Sequence, residues 1–279
     1  MRTIVHLSDL HFGRVDDALL APLVDAINAL SPHLVAISGD LTQRARAREF
    51  RAARAFLDRL PTPQIVVPGN HDIPLHNVIS RFLGPLVKYR RYITTDLEPF
   101  FADDEIAVMG INTARSLTFK GGRVNAAQIE QAKSRLCPVD RKIVKVIVTH
   151  HPFDIAKGRT SSDAVGRADL AMELLPACRC DLLLAGHLHV SDASTVTMRS
   201  VAAGHEAILV QAGTATSTRG RGEINSFNSL HVAADDIEIR RHSWRPEKNA
   251  FEATSSERFA RTVEGWKIVS SLVARPPAT

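Results

Sequence analysis

Short runs of apolar residues, rich in valine and isoleucine, recur along the chain and are separated by segments in which apolar residues keep helical spacing. The apolar runs predict five strands, at residues 3–7, 34–38, 64–67, 143–149 and 182–185. Helical spacing fills residues 19–30 and 46–59, which lie between the first three of these strands. Strands and helices that alternate in this way are typical of a sheet covered by helices.

The pattern changes after residue 184, where the segments become strand-like and lack long helices between them. Strands are predicted at residues 193–198, 207–211, 226–232 and 237–243, which indicates a second sheet. A final amphipathic helix is predicted over residues 256–269, with Phe259, Val263 and Trp266 on one face, followed by a loose tail. Because the chain has no internal repeat and no Gly/Ser linker, we expect one domain of two packed sheets over residues 1–245 and an extension over residues 246–279.

The composition is that of a globular protein. Hydrophobic residues make up 44% of the 279 residues, which is ample for a sizeable core. The net charge of +5 suits anionic substrates, although a modestly basic surface also serves solubility. Aromatic residues make up only 5%, whereas nucleic-acid binders interleave them with clusters of lysine and arginine. The composition therefore does not favour a nucleic-acid partner.

Cysteine usage and hydropathy bear on where the protein works. The three cysteines, Cys137, Cys178 and Cys180, are too few and odd in number for a disulfide framework, and they fit a reducing compartment. We expect Cys178 and Cys180 to be small packing residues. The first predicted strand leaves no room for a removable leader, and no apolar run approaches the roughly 18 residues that a membrane span needs. The protein is therefore predicted to be cytoplasmic, and a homo-oligomer stays open.

Each of the first five predicted strands is followed by residues that can bind a metal ion. These are Asp9 and His11, then Asp40, then Asn70, His71 and Asp72, then His150 and His151, and finally His187 and His189. Sites in α/β folds form beyond the carboxyl ends of the strands, so these side chains are expected to meet at one edge. Each signal is weak by itself, because a Gly-Asp pair is more often a turn and an Asn-His-Asp segment can cap a helix. Together, in this order, they predict a metal centre.

The ligand types indicate which metals to expect. Mixtures of carboxylate and imidazole suit first-row ions better than soft, sulfur-seeking ones. We therefore expect two divalent or trivalent ions, with manganese and iron favoured and zinc, cobalt or magnesium as alternatives. Two ions about 3.5–4 Å apart need a bridging ligand, and a carboxylate with two oxygens serves well. Gly39, Gly69 and Gly186 allow tight turns, so that the side chains that follow them can converge.

The five blocks resemble the pattern of the calcineurin-like metallophosphoesterase superfamily, which reads D-x-H, G-D, G-N-H-D/E, a later histidine and G-H-x-H. The resemblance implies an α/β fold with four layers, an α-β-β-α sandwich of two mixed β-sheets flanked by helices. It implies a first metal held by Asp9, His11, Asp40 and His189, and a second held by Asp40, Asn70, His150 and His187, with Asp40 bridging. His150 is preferred to His151 because this block of the family usually reads His-x-Pro, and a shift of one residue stays open.

The resemblance also implies a mechanism of phosphate-ester hydrolysis. A metal-bridging hydroxide would attack phosphorus in line, while the metals neutralise the phosphoryl oxygens. His71 would protonate the leaving oxygen or stabilise charge there, and Asp72 would orient the imidazole ring. The alternative for His71 is a histidine that only caps a helix.

The substrate is the least constrained part of the hypothesis. This chain reads D-L-H near its start and G-H-L-H later, and in this it resembles the smaller bacterial members of the superfamily, the class III cyclic-nucleotide phosphodiesterases and glycerophosphodiesterases. The resemblance implies small diesters such as 3',5'-cyclic nucleotides or glycerophosphodiesters. Candidate substrate-binding residues are His151, His205, Arg219 and Arg221, although a surface turn explains the segment of the two arginines nearly as well.

Three alternatives stay open: a UDP-sugar-lipid pyrophosphohydrolase, a broad phosphomonoesterase, and a non-enzymatic metal-binding scaffold with the same fold. The first would need an apolar groove for acyl chains, and the sequence shows no exposed apolar insertion long enough to require one. A scaffold would be expected to lose ligands or the catalytic histidine, and this chain keeps all of them.

Overall fold

The computed structural model describes residues 1–75, 77–118, 121–153, 165–172, 174–188, 197–198, 207–218, 223–263 and 265–273. The strands are β1 (Arg2–Leu7), β2 (Leu34–Ile37), β3 (Gln64–Val66), β4 (Phe100–Ala102), β5 (Ile106–Gly110), β6 (Val144–Val148), β7 (Leu182–Ala185), β8 (Thr197–Met198), β9 (Ile208–Gln211), β10 (Ser226–Val232), β11 (Asp236–Arg245), β12 (Ala250–Thr262) and β13 (Gly265–Val273). The α-helices are α1 (Leu20–Ala29), α2 (Ala47–Leu57), α3 (Val78–Leu83), α4 (Val87–Tyr92), α5 (Ala126–Leu136), α6 (Ala168–Met172) and α7 (Leu174–Cys178).

The strands form two mixed sheets, and the chain leaves the first sheet and returns to it. The first sheet has the order β13-β12-β11-β10-β1-β2-β3, in which β1, β2 and β3 are parallel and the other pairs are antiparallel. The second sheet has the order β4-β5-β6-β7-β9-β8, in which β5, β6, β7 and β9 are parallel. The beginning and the end of the described chain therefore share one sheet, and the middle forms the other.

Three apolar cores separate four layers of secondary structure. Val5 of β1 and Leu23 of α1 belong to the core on the outer face of the first sheet. Ile4 of β1 and Val146 of β6 belong to a second core, between the two sheets, so neighbouring residues of β1 serve different cores. Ile129 of α5 belongs to the third core, on the outer face of the second sheet. The predicted α-β-β-α sandwich is confirmed.

The loop between β2 and α2 is fixed by one buried carboxylate. Glu49, in the first turn of α2, accepts hydrogen bonds from the backbone N–H groups of Arg44, at 2.8 Å, and Arg46, at 3.3 Å. An acidic side chain is favourable there because the N-terminus of a helix leaves unsatisfied N–H groups and carries partial positive charge. Glu49 thereby holds the chain segment that follows Asp40.

The strands predicted at residues 3–7, 34–38, 64–67, 143–149 and 182–185 are confirmed as β1, β2, β3, β6 and β7. Those predicted at residues 207–211, 226–232 and 237–243 are confirmed as β9, β10 and β11, whereas residues 193–196 lie outside the described residues. Their grouping into a separate second sheet is wrong. β9 pairs with β7 in the second sheet, and β10 pairs with β1 in the first.

The amphipathic helix predicted over residues 256–269 is wrong, because this segment is the hairpin of β12 and β13. Phe259 and Trp266 are both fully buried between the sheets, but they reach that core from two adjacent strands. Val263 lies beyond β12, near the hairpin turn, and is fully exposed. The domain division at residue 245 stays a prediction, and the tail at residues 274–279 lies outside the described residues.

One cysteine prediction is also wrong. Cys137, directly after α5, and Cys178, at the end of α7, form a disulfide between residues 41 positions apart in the chain. Cys180 is fully buried, as expected for a packing residue. Among the described helices, none has both the length and the apolar character needed to cross a bilayer. The cytoplasmic location and self-association of the chain stay predictions.

Candidate metal centre

Six of the seven predicted metal ligands lie beyond the carboxyl ends of five strands, at one edge of the sandwich. They are Asp9 and His11 after β1, Asp40 after β2, Asn70 after β3, His150 after β6 and His187 after β7. The first three strands belong to one sheet and the last two to the other. The site therefore draws its side chains from both sheets.

Asp40 lies at the centre of these side chains. Its Oδ1 is 3.4 Å from Nε2 of His150, and its Oδ2 is 3.8 Å from Nε2 of His11. Nε2 of His11 lies 3.5 Å from Oδ1 of Asp9, and Nε2 of His150 lies 3.1 Å from Oδ1 of Asn70. Asp9, His11, Asp40, His150 and Asn70 thus form one continuous series of side-chain contacts.

The donor atoms fit metal ions. Within the described residues, three groups each bring ligand atoms within 4.8 Å of one another: His150, His151 and His187; His11, Asp40 and His71; and Asp9, Asp40 and His150. Oδ2 of Asp40 is buried and accepts no hydrogen bond from the described residues. A buried carboxylate oxygen without a donor is costly unless a cation contacts it. Oxygen and imidazole donors together suit first-row ions.

Electrostatics ties the protonation of these groups together. Burial opposes the charged form of Asp40, but His150, His71 and His11 outweigh it and hold the pKa of Asp40 well below its usual range. Burial likewise opposes the charged form of His150, but the carboxylates of Asp40 and Asp9 raise the pKa of His150 to about 9. A cation that binds here would replace that proton, so binding and proton release are coupled.

His150 and His151 face different surroundings. His150 has its Nδ1 2.8 Å from the carbonyl oxygen of Ser38 and its Nε2 toward Asn70 and Asp40. His151 has its Nδ1 2.8 Å from Oγ1 of Thr113, and its ring centroid lies 4.5 Å from that of His187. Both histidines are fully buried. The contact with Asp40 favours His150 over His151 as the metal ligand, and His151 still lies close to the centre.

His71 and Asp72 have partners other than each other. Nδ1 of His71 lies 3.0 Å from the backbone carbonyl oxygen of Gln43, and the ring of His71 packs edge-on against the ring of His11. The buried carboxylate of Asp72 accepts hydrogen bonds from the backbone N–H groups of Gly69, Leu41 and Thr42 and from the Thr42 hydroxyl. Asp72 thus joins two ligand-bearing loops, and the Gln43 carbonyl takes the orienting position that the sequence predicted for Asp72. Burial and the nearby Asp40 raise the pKa of Asp72 to about 6.

The backbone adopts an unusual conformation at four of the predicted ligands. Asp9, His11, Asp40 and His187 have φ angles of 54°, 50°, 52° and 73°, in the left-handed region. Each such residue costs of order 1–3 kcal/mol unless the surrounding structure compensates for it. Backbone strain of this kind clusters at functional sites, which supports a functional site at this edge of the sandwich.

At two glycines the neighbouring side chains leave no room for a Cβ atom. A Cβ at Gly69 would lie 2.1 Å from Oδ1 of Asp40, and one at Gly186 would lie 1.8 Å from Oγ of Ser8 and 2.7 Å from Oδ2 of Asp9. Ser8 itself donates to Oδ2 of Asp9 at 2.6 Å. The sequence predicted tight turns here, and the structure adds close approach to ligand carboxylates as the reason.

Some residues beside the site had not been predicted. Thr113 follows β5, a strand that lies parallel to β6 and therefore ends at the same edge of the sheet. The apolar run at residues 106–111, followed by Asn112 and Thr113, was the available signal. The predicted residues His189, His205, Arg219 and Arg221 lie outside the described residues.

Comparisons with known proteins agree with this geometry. The sequence model described as calcineurin-like phosphoesterase matches residues 2–191. A probable cyclic nucleotide phosphodiesterase of Synechococcus is 24% identical over 204 residues, which cover 67% of this chain and 73% of that protein. A glycerophosphodiester phosphodiesterase of Enterobacter lignolyticus is 36% identical over 80 residues, but these cover only 25% of this chain and 29% of that protein.

Solved structures support the fold. The structure of PhoD has a TM-score of 0.70 at 11% identity and covers 98% of this chain and 72% of that one. A dimetal phosphatase from Danio rerio has a TM-score of 0.61 at 14% identity and covers 86% of this chain and 95% of that one.

Proposed function

The chain belongs to the calcineurin-like phosphoesterase family and is a metal-dependent phosphoric ester hydrolase, and we propose that it hydrolyses small phosphodiesters with two metal ions. Manganese and iron are the favoured ions, with zinc, cobalt or magnesium as alternatives, because the donors are carboxylate, amide and imidazole groups. The substrates are small diesters such as 3',5'-cyclic nucleotides or glycerophosphodiesters.

The two oxygens of Asp40 carry this proposal. They face two different histidines, His11 at 3.8 Å and His150 at 3.4 Å, as expected of a carboxylate shared by two ions. Bound metal ions in such a pair supply hydroxide near neutral pH and neutralise charge on the phosphoryl oxygens. We assign the first ion to Asp9, His11, Asp40 and His189, and the second to Asp40, Asn70, His150 and His187.

His71 is the proposed proton donor. Hydrolysis forms a bond from a water oxygen to phosphorus and breaks the bond from phosphorus to the leaving oxygen, which takes up a proton. The carbonyl of Gln43 can only accept, so Nδ1 of His71 carries a hydrogen, and in the imidazolium Nε2 holds the proton for the leaving oxygen. His71 is only partly buried, in contrast to His11 and His150, which supports a position that substrate can reach.

The names of two relatives support the choice of diesters. The Synechococcus protein is named for cyclic nucleotides and the Enterobacter protein for glycerophosphodiesters. Cyclic nucleotides and glycerophosphodiesters are both small phosphodiesters. The Enterobacter match extends over 29% of that protein, so it supports the shared motif region and not the whole substrate site.

A metal-supplemented activity panel tests the proposal. The chain, loaded with manganese or iron, is assayed on an aryl diester, an aryl monoester, cyclic AMP, cyclic GMP, a glycerophosphodiester and a lipid-linked UDP-sugar. We expect one of the small diesters to give the highest kcat/KM. Asp40→Asn is the matched negative control, because asparagine keeps the acceptor for the backbone N–H of His71 but removes the charge shared by the ions.

Other outcomes identify the alternatives. A monoester turned over far faster than every diester would replace the proposal with a broad phosphomonoesterase, and preference for the lipid-linked UDP-sugar would replace it with a pyrophosphohydrolase. Less than one tightly bound metal ion per chain, together with no turnover, would indicate the non-enzymatic scaffold.

A further inference from the structure

An apolar surface lies exposed beside the metal centre. We call it the apolar patch, and its members are Leu75, Val78, Ile79, Phe82, Leu83 and Val87. Their exposed fractions run from 42% at Leu75 to 85% at Leu83. The surface is formed by α3 and the first turn of α4, and a groove of 310 Å³ lies between these helices. Contiguous exposed apolar residues of this kind mark an interaction site in a folded protein.

α3 is amphipathic in the reverse of the usual sense, because it buries an arginine and exposes its apolar residues. Arg81 is only 3% exposed. Its guanidinium donates to the carbonyl oxygens of Pro74, Ser116 and Thr118 at 3.2, 2.7 and 2.9 Å. Three backbone acceptors thus fix the inner side of the helix, and the outward direction of Phe82 and Leu83 is built into the fold.

The exposed charges on the two helices of the patch are basic. Neither α3 nor α4 contains an aspartate or glutamate, Lys88 donates to a backbone carbonyl, and the exposed Asp96 lies beyond the end of α4. Arg90 and Arg91 are exposed and lie three and four positions after Val87 on α4, so they share its helix face. Exposed apolar residues bordered by arginine are the combination that binds an anionic lipid surface.

The patch is also close to the catalytic histidine. Leu75 is four residues from His71, and four residues span at most roughly 14 Å even when fully extended. A surface that binds the patch would therefore lie close to the opening of the metal site.

We propose that the apolar patch docks on the surface of an anionic lipid bilayer, with its apolar side chains in the interfacial layer and Arg90 and Arg91 against the headgroups. A second copy of the chain is the competing occupant, but a two-fold interface would place the same basic segment against itself. Neither α3 nor α4 carries an acidic residue, so such a dimer would bring Arg90 and Arg91 of two copies together without a carboxylate on either helix. An exposed apolar groove is also what the lipid-linked UDP-sugar alternative would need, so the test below reads vesicle binding rather than turnover and can fail independently of the proposed function.

Co-sedimentation with lipid vesicles tests the proposal without any turnover. The whole chain is mixed with vesicles of phosphatidylcholine alone and of phosphatidylcholine with phosphatidylglycerol. We expect binding to the anionic vesicles and little to the neutral ones, with weaker binding as salt is raised. Ile79→Ser with Leu83→Ser is expected to weaken binding at least tenfold, and Arg90→Gln and Arg91→Gln roughly fivefold each.

A matched control comes from the other end of the first sheet. Val269 and Leu272 on β13 are 58% and 69% exposed and lie outside the patch. Val269→Ser with Leu272→Ser removes the same kind of surface and is expected to leave vesicle binding unchanged. Thermal unfolding midpoints within a few degrees of the parent show that the variants fold.

Three results would overturn the proposal: no binding to anionic vesicles, equal binding to neutral ones, or patch variants that bind like the parent. Sedimentation velocity adds a fourth. A dimer that the patch variants abolish, in a chain that ignores vesicles, would assign the patch to a second copy.

Discussion

Nδ1 of His150, at the end of β6, lies 2.8 Å from the backbone carbonyl oxygen of Ser38, at the end of β2. A carbonyl oxygen only accepts hydrogen bonds, so Nδ1 carries a hydrogen, and loss of the second proton of the ring leaves the lone pair on Nε2, the nitrogen that lies beside Asp40 and Asn70. Hydrogen bonds of this type fix the tautomer and the orientation of metal-binding histidines. The bond also joins the two sheets, because β2 and β6 belong to different ones.

The first prediction concerns the choice between His150 and His151. His150→Ala is expected to lower manganese affinity at least 100-fold, because it removes a proposed ligand, whereas His151→Ala is expected to lower it by tenfold or less. Metal content after dialysis against graded manganese measures both. His33→Ala, at an exposed histidine whose ring accepts from the N–H of Thr3, is the control. The reverse order of the two losses would move the ligand to His151.

The second prediction concerns His71. His71→Ala is expected to keep both metal ions and to lose about 10²–10⁴-fold in kcat on an alkyl diester, because the leaving alkoxide then lacks a proton donor. An aryl ester with a nitrophenol leaving group needs little protonation, so its loss should be much smaller. Measuring kcat for both esters tests the role. Equal losses would show that His71 acts in some other way.

The third prediction concerns Gly186. Gly186→Ala places a Cβ 1.8 Å from Oγ of Ser8 and 2.7 Å from Oδ2 of Asp9, so both side chains must shift. Manganese affinity is expected to fall about 10–100-fold, as for other changes that displace a ligand's support. Gly121→Ala is the matched control, because nothing lies within 4 Å of its added Cβ. Titration of manganese into each purified variant compares them, and equal affinities would contradict this account of the glycine.

The fourth prediction concerns stability and pH, at a histidine remote from the metal centre. Burial, with Arg240 and His231, lowers the pKa of His242 from 6.5 to about 4. Between these values the unfolded chain binds a proton at this position and the native chain does not, so stability falls as the pH falls from about 6.5 toward 4. The loss due to His242 at pH 5 is expected to be about 2 kcal/mol.

His242→Gln isolates this contribution. Glutamine does not titrate and keeps a donor for the hydroxyl of Ser229, which lies 2.9 Å from Nε2 of His242. Urea unfolding in EDTA at pH 7.5 and pH 5 gives the free energies of the parent and the variant. The variant should lose about 2 kcal/mol less than the parent between the two pH values. Identical losses would contradict the prediction.

The ligand-bearing edge could be predicted because its signals are local. A short apolar run followed by Asp, Asn or His identifies a strand and its end together, and Asp9, Asp40 and Asn70 all lie where this pattern put them. The choice between His150 and His151 could not be made locally, because it depends on Ser38 from the other sheet. The support of His71 by the backbone carbonyl of Gln43 could not be predicted locally either, because it joins the loop after β2 to the loop after β3.

The errors at the C-terminus and the cysteines also arise from contacts distant in sequence. Phe259 and Trp266 have a spacing that fits a helix, but Gly265, with a φ of 119°, begins a new strand that pairs with the one before it. Both aromatic rings then reach the core between the sheets. Cys137 and Cys178 meet only because α5 and α7 pack on the same face of the second sheet.

The predicted ligands follow strands of two different sheets, so the packing between those sheets sets the distances between the ligands. Asp40 comes from one sheet and His150 from the other, and Ala36 and Val148, just before them, are fully buried in the core that separates the two. A larger side chain at Ala36 is expected to push the sheets apart and widen the space between Asp40 and His150, without changing any of the proposed ligands. We therefore expect metal affinity to respond to substitutions in the apolar core between the sheets.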